Sequence, residues 1–321
     1  MDFLANYFSS LNPMSFLSAL PGNIAQGIIW GLMGLGVFLT FKLLNFADLS
    51  VDGSFATGGA VTAVMLIKGC PVWATIIVAI LAGLAAGLVT GLLHTLLGIP
   101  DILAGILTQI ALYSINLNIM GKSNLPISYR NYTLVVSASN INMAILVGLG
   151  ICAVVIAAMY WYFGTEQGST IRSTGSNPAM SKAQGININF TKVIALALSN
   201  GLVALSGSLF AQYQGFADIN MGRGAIVIGL AAVIIGEVLG EAIFRKHMNF
   251  IIRMLFVIVG GILYYIAMGI VLWLKMPTDD TKLFTAIIVA IFLAVPYLQK
   301  KRKTSFKKVA KMNAKNAQKE G

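Results

Sequence analysis

The stretch "LLNFADLSVDGSF", residues 43–55, decides how the rest of the chain is read. It follows a long apolar run, Ile24 to Phe41, and precedes another, Phe55 to Ile67, yet it carries Asp48 and Asp52. An ionised acid at the centre of a bilayer costs at least about 2.5 to 3.5 kcal/mol on insertion scales, so acids there have either a partner or a task.

Composition places those runs in a membrane. Of 321 residues, 57% are apolar and 10% charged, and the mean hydropathy is +0.83, far above that of a soluble domain of this size. The class is an all-α polytopic membrane protein. The formal charge of +11 does not mark a nucleic-acid surface, because nine of the 22 basic residues lie between Lys300 and Lys319. That tail, residues 299–321, reads as a cytoplasmic juxtamembrane anchor attracted to anionic membrane lipid, with a partner subunit as the alternative. Cys70 and Cys152 suggest no disulfide framework, and His94 and His247 lack metal-ligand spacing. Residues 1–23 carry no basic residue ahead of their apolar part, so they do not read as a cleaved signal peptide; an amphipathic segment on the membrane surface is expected there.

Apolar runs near the ~20 residues needed to cross a bilayer occur at Ile24 to Leu43, Phe55 to Ile67, Val72 to Leu97, Ile102 to Met120, Met143 to Phe163, Val193 to Ala211, Ala225 to Leu239, Phe250 to Leu274 and Leu283 to Leu298. About nine segments result, of which the second and seventh are short. With the basic tail inside, counting backwards puts Arg245, Lys246, His247 and Arg253 on the cytoplasmic side together with Arg172, Lys182, Lys192 and Lys42, and it puts the N-terminus outside.

The acidic motif occurs twice. Phe46-Ala47-Asp48-Leu49-Ser50-Val51 matches Phe216-Ala217-Asp218-Ile219-Asn220-Met221, and each copy leads into a short segment opened by a glycine, Gly53 or Gly224. Residues 24–120 and 193–298 therefore form two repeats, joined by a linker span at 143–163 and a cytoplasmic loop at 164–192. Equivalent spans are five crossings apart and run in opposite directions, which makes the permease domain, 24–298, an inverted-topology repeat with two short, glycine-interrupted helices meeting around a path.

Residues at the breaks or on that path are Asn45, Asp48, Asp52, Gly53, Asp218, Asn220 and Gly224. The acids either cap helix breaks, since aspartate is a favoured N-cap, or contact solute or ion; Arg223 is a candidate partner for Asp218. In the fourth segment Gln109, Tyr113 and Asn116 share one helical face, where they line a pore or hydrogen-bond between helices. Glu237 and Glu241 precede Arg245 and Lys246 and suit local ion pairs.

The loop "GSTIRSTGSNPAMSKAQGIN", residues 168–187, encodes a short helix from Pro178 to Gln184, with Asn177 as N-cap, Pro178 at the first position and Gly185 as the stop. A capped helix too short to stand alone in water suits docking into another protein's groove. The run Gly168, Arg172, Thr174, Gly175, Asn177, Ala183, Gly185, Ile186 resembles the cytoplasmic signature of permease subunits of bacterial ATP-binding-cassette importers, in the branched-chain amino acid permease family. "LNFADLSVDGSF", "LAGILTQIALYSINLNIMG" and "GLVALSGSLFAQYQGFADINMGRG" are similar to a subgroup associated with aromatic amino acids such as tryptophan and tyrosine; Ser173 stands where the family usually has alanine. The resemblance implies that Arg172, Gly175, Asn177, Pro178, Met180, Ala183 and Gly185 couple to an ATPase subunit. It also implies a permease homodimer in the bacterial plasma membrane, fed by an extracytoplasmic solute-binding protein. The chain has no G-x-x-x-x-G-K-[ST] loop and no catalytic constellation, so it is not an enzyme and binds no cofactor itself; ATP and magnesium belong to the partner. An ion-coupled secondary transporter is the alternative that buried acids and an inverted repeat also suit.

Overall fold

A computed structural model of the chain describes residues 13–129, 132, 134–244, 248–274, 283–292 and 294. The basic tail and the Arg245, Lys246, His247 cluster lie outside the described residues. The helices are α1 (Pro13–Val37, continued by a π-helical turn Phe38–Leu43), α2 (Val51–Ile67), α3 (Val72–Leu96), α4 (Asp101–Met120), α5 (Ile141–Gly164), α6 (Glu166–Ser176), α7 (Pro178–Ala183), α8 (Ile188–Gln214), α9 (Ala225–Phe244), α10 (Phe250–Trp273) and α11 (Leu283–Phe292). Strands β1 (Asn124–Pro126) and β2 (Phe216–Asp218) pair antiparallel, with Asn124 opposite Asp218.

Seven helices among the described residues are long and apolar enough to cross a bilayer, while α2 and α11 are apolar but shorter. Seven of the nine expected crossings thus reach spanning length within the described residues, and the last expected segment, Leu283 to Leu298, lies partly outside them. The seventh expected segment is not short: α9 runs on past Leu239 to Phe244 and, at 20 residues, spans about 30 Å. Neither α2 nor α9 is interrupted at its glycines. Helix α2 is continuous through Gly53, Gly58 and Gly59, because neighbouring helices, not water, surround it. It buries 14 of its 17 residues, as a helix apolar on every side must. At the other end of the chain, residues 13–23 are helical and continuous with the first span rather than separate from it.

Helices α1, α2 and α8 form the centre. From α8, Ser199, Ser206 and Tyr213, seven apart, donate to the carbonyls of Gly36, Ile29 and Gly22 on α1 at 2.7, 2.7 and 3.4 Å. The partner's number falls as the donor's rises, so α1 and α8 run antiparallel. Such interhelical bonds hold apolar helices together in lipid, where hydrophobic burial gives no drive between helices. Small residues bring the backbones close: Gly58 lies against the Ala204 carbonyl and Gly207 against that of Phe55. Trp30 stacks on Phe55 at 4.7 Å and meets Phe210 edge-on at 5.3 Å, filling the space between α1, α2 and α8.

Around this centre, α3 packs chiefly on α8 and α10 chiefly on α1, while α4 covers α2 and α5 leans on α1. Gly83, Gly87 and Gly91 of α3 meet Asn200, Leu196 and Val193; Gly27 and Gly31 of α1 meet Ile262 and Ile258 of α10. Both contacts are antiparallel.

Candidate functional site

The turn from α1 into α2 is built from residues 44–50. The α1 ladder widens at its end, Leu44 N–H bonding to Leu39 at 3.0 Å and Phe46 N–H to Thr40 at 2.9 Å, and Asn45 ends it in the left-handed region at φ 55, which asparagine tolerates better than most residues. Asp48 is buried; its Oδ1 accepts from Ser50 N at 2.9 Å and Ser50 Oγ at 2.5 Å, and its Oδ2 from Asn200 Nδ2 at 2.7 Å. Asp218 forms the same local turn, accepting from Asn220 N at 2.7 Å, and its other oxygen receives Asn124 Nδ2 at 3.4 Å. No ion pair joins Asp218 to Arg223 among the described residues.

Asp52 makes the least local contact. It sits in the first turn of α2, yet its two oxygens accept from Gly224 N at 2.9 Å and Ile226 N at 2.8 Å. It therefore caps the start of α9, 172 residues away, not its own helix. The first turns of α2 and α9, with their unpaired N–H groups and positive dipole ends, meet at this carboxylate.

Beside that meeting point lies a cavity of about 350 Å³ lined by residues including Asp52, Gly53, Gln109, Tyr113, Asn116 and Arg223. Ser114 and the apolar Ala56, Ile110 and Ile219 complete its walls. Asn116 is fully buried, and neither its amide nitrogen nor its oxygen finds a hydrogen-bond partner among the described residues. A buried unsatisfied amide costs roughly 1–3 kcal/mol, so the cavity holds unspent hydrogen-bonding capacity. Arg223 forms no ion pair among the described residues and is exposed on the same wall.

A second assembly lies on the loop between α5 and α8. Asn177 Oδ1 accepts from Met180 N at 3.1 Å, Pro178 occupies the first turn of α7, and Gly185 takes φ +81 just beyond it, the left-handed exit that glycine adopts without strain. Pro178, Ala179, Met180 and Ala183 are exposed, as is Phe190 at the start of α8; Met180 and Phe190 are 58% and 59% exposed. Helix α6 holds this face in place. Ile171 is buried, and Gly175 packs so tightly on the Leu43 carbonyl that no side chain fits. Arg172 turns back, donating to Phe163 O at 2.9 Å and lying over the Phe250 ring at 6.0 Å.

With this geometry in hand, comparison with known proteins becomes specific. Residues 22–296 match the family described as branched-chain amino acid transport system / permease component. The chain belongs to this permease family. It is 42% identical over 301 residues, 93% of its own length and 99% of the other's, to the tyrosine transport system permease protein of Clostridioides difficile (strain R20291). It is 25% identical over 263 residues, covering 80% of its own length and 77% of the other's, to the D-allose transport system permease protein AlsC of Escherichia coli (strain K12). Among solved structures, PsaBC from Streptococcus pneumoniae in complex with Fab shares the fold, with a TM-score of 0.52 at 16% identity over 91% of this chain and 94% of that one. This is thus an ABC-type permease, a multi-pass membrane protein from a family of non-catalytic transport subunits.

Of the path residues named from the permease's sequence, Asp52, Gly53, Gln109, Tyr113 and Asn116 converge on the cavity. Asn45, Asp48, Asp218, Asn220 and Gly224 lie in the turns that lead to it and not on its lining. Of the loop residues, Asn177, Pro178, Met180, Ala183 and Gly185 form the exposed unit, whereas Arg172 and Gly175 anchor α6, Arg172 from an exposed position by its bond to Phe163 O and Gly175 by its packing on Leu43. Two features lay outside the sequence reading. Helix α6 was hidden in a polar loop, although Thr165, which accepts from Gly168 N at 3.4 Å, and Glu166 in the first turn were its signals. Glu237 pairs with Lys42 at 2.8 Å and Arg253 at 3.6 Å, a long-range arrangement that the neighbouring Arg245 and Lys246 had obscured.

Proposed function

We propose that this chain is the membrane-spanning permease of an ATP-driven importer in the bacterial plasma membrane, carrying an amino acid, foremost an aromatic one. It works as a homodimer. A solute-binding protein delivers the solute from outside, and an ABC ATPase, which holds ATP and magnesium, docks on α7. The observation that carries this reading is the exposed, doubly capped α7, whose apolar face is free while its base is clamped through α6 to the end of α1. The 42% identity to a tyrosine permease, against 25% to a D-allose permease, favours an amino acid as solute.

The interior supports an inverted repeat as the frame of the path. Carrying the Asp48–Asp218 match along the helices pairs Ile29 with Ser199 and Gly36 with Ser206. The contacts of Ser206 with Ile29 and of Ser199 with Gly36 are then equivalent positions under such a two-fold, although both hydrogen bonds are donated from the α8 side. Asp52 lies against Gly222, its own counterpart. Packing is exchanged in the same sense, the third helix of each unit lying on the first helix of the other. The cavity at the junction of α2 and α9 is the solute's passage, with Arg223, Asn116 and Gln109 as groups for a zwitterion. The acids an ion-coupled carrier would need are already occupied, Asp48 by Ser50 and Asn200 and Asp52 by two backbone N–H groups.

The test is uptake of labelled tyrosine into vesicles carrying the permease with its ATPase and binding protein. Met180→Glu and Ala183→Glu place a charge on the docking face without touching a membrane helix. Both variants are expected to insert normally, to lose ATPase co-purification or solute-stimulated hydrolysis, and to lose uptake. Full stimulation and full uptake in both would remove the role of α7 and the importer reading with it.

A further inference from the structure

Away from the cavity and from the docking face of α7, a second cleft of about 500 Å³ opens where α5 ends and α10 begins. Tyr160, Trp161, Phe163, Thr165, Arg172 and Phe250 line it. Its chemistry is uneven: a guanidinium at the base, aromatic rings at the sides. Arg172 spends one nitrogen on the Phe163 carbonyl at 2.9 Å. A guanidinium has five N–H donors, so among the described residues the others remain available to a ligand. Phe250 opens α10, whose N-cap residue, Asn249, makes no side-chain cap bond. The partial positive charge of that helix start therefore adds to the arginine's.

The wall shows where the cleft opens. Trp161 and Tyr160 are 73% and 54% exposed, and they continue an apolar face of α5 on which Leu146, Leu149 and Val154 are 66%, 48% and 69% exposed. A spanning helix with such a stripe faces acyl chains. Exposed tryptophan and tyrosine in its last turn mark the level of the lipid head groups. The cleft is therefore reached sideways from the bilayer, at head-group depth. What fits is a molecule with an anionic group for Arg172 and two hydrocarbon chains for the α5 stripe.

We propose that this cleft binds an anionic phospholipid, its phosphate on Arg172 and the start of α10 and its acyl chains along α5. Arginine suits phosphate because its planar fork can hold two oxygens at once, whereas lysine offers a point charge. Through Arg172 the lipid would touch α6, the helix that carries α7, so bilayer composition would act on the base of the coupling loop. The proposal stands on the membrane-spanning fold alone and does not need the transport reading.

Trp161 is a built-in reporter. The full-length permease is reconstituted in phosphatidylcholine vesicles containing a small fraction of brominated phosphatidylglycerol or, separately, brominated phosphatidylcholine. The Trp161 signal is taken as the difference between wild type and Trp161→Phe. The expected result is severalfold stronger quenching of Trp161 by the brominated anionic lipid. Arg172→Gln should bring the two lipids to equal quenching, and Arg172→Lys should keep part of the preference. Equal quenching in the wild-type protein overturns the proposal without reliance on any Arg172 variant, as does an undiminished preference in a folded Arg172→Gln. Loss of the preference on adding millimolar inorganic phosphate, with sodium chloride of equal ionic strength inert, would assign the cleft to free anion and also overturn it.

Discussion

Replacing Asp52 tests the centre of the structure directly, because the residue serves a helix other than its own. Its oxygens receive Ile226 N at 2.8 Å and Gly224 N at 2.9 Å, and hydrogen bonds to a charged acceptor contribute about 1.5–3 kcal/mol each. Asp52→Asn keeps one carbonyl oxygen but turns an NH2 group toward the second N–H, so one bond and the favourable charge at the start of α9 are lost, about 2 kcal/mol. Asp52→Ala removes both acceptors. Water from the adjoining cavity solvates part of what is exposed, which leaves a loss of about 4 kcal/mol. The assay is thermal unfolding of the purified permease in one detergent, followed by tryptophan fluorescence. The expected order is wild type, then Asn, then Ala, with Asn near the midpoint. A cap without a charge-dependent role also predicts that Asn retains measurable uptake. Equal melting of all three proteins would refute the bridging cap, and abolition of uptake by Asn at unchanged stability would turn the residue into a charge-dependent participant in transport.

Further predictions follow from close contacts. Gly175→Ala puts a methyl group into the Leu43 carbonyl and is expected to loosen α6 from α1, lowering the melting temperature and increasing proteolysis in the 164–192 loop. Asn177→Ala removes the acceptor for Met180 N, a loss of about 1 kcal/mol that a helix this short cannot absorb; solute-stimulated ATP hydrolysis should fall while membrane insertion, measured by expression in the membrane fraction, stays normal. Glu237→Gln weakens contacts to Lys42 and Arg253 that are only partly buried, so a loss of about 0.5–1 kcal/mol is expected, and it should diminish at high salt.

What the sequence disclosed was local, and what it concealed was long-range. Asn177, Pro178 and Gly185 act on atoms within a few residues, so the α7 boundaries could be read from their types alone. Asp48 and Asp218 were recognisable as a pair because their turns are local too, each accepting from the N–H two residues on. Asp52 looked like a third member of that class and is not, because its partners, Gly224 N and Ile226 N, lie 172 and 174 residues further along the chain; nothing in residues 43–55 states that distance. Glu237 carries the same lesson: a nearby basic cluster suggested a local partner, and among the described residues it pairs with the distant Lys42 and Arg253. Length was also misjudged at α9, where Glu237 and Glu241 ended the apolar run on paper. The helix continues past them because Glu237 is paired and Gly240 is packed against Met248 and Phe256. The glycines of α2 suggested a break for a similar reason: their effect on a helix depends on what packs against them, and in α2 they admit neighbouring backbones.

The exposed loop and the cavity beside Asp52 are joined by contacts that leave little slack. Helix α7 shares Asn177 with the end of α6, and α6 meets α1 where Gly175 sits on the Leu43 carbonyl. From Leu43 the chain passes through the left-handed Asn45 to Asp48, which is fixed to Ser50 and to Asn200 of α8. Two residues beyond Ser50, Asp52 holds the start of α9. A force on α7 therefore arrives, within about ten residues of covalent chain beyond Leu43, at the place where the first turns of α2 and α9 meet beside Arg223 and Asn116. Packed interiors shift between discrete arrangements and do not deform smoothly. Because Asp52 ties α2 to α9, a shift of one helix start must carry the other or break two charged hydrogen bonds. On the proposed function, motion at the loop would thereby be converted into a paired movement of both helix starts beside the cavity.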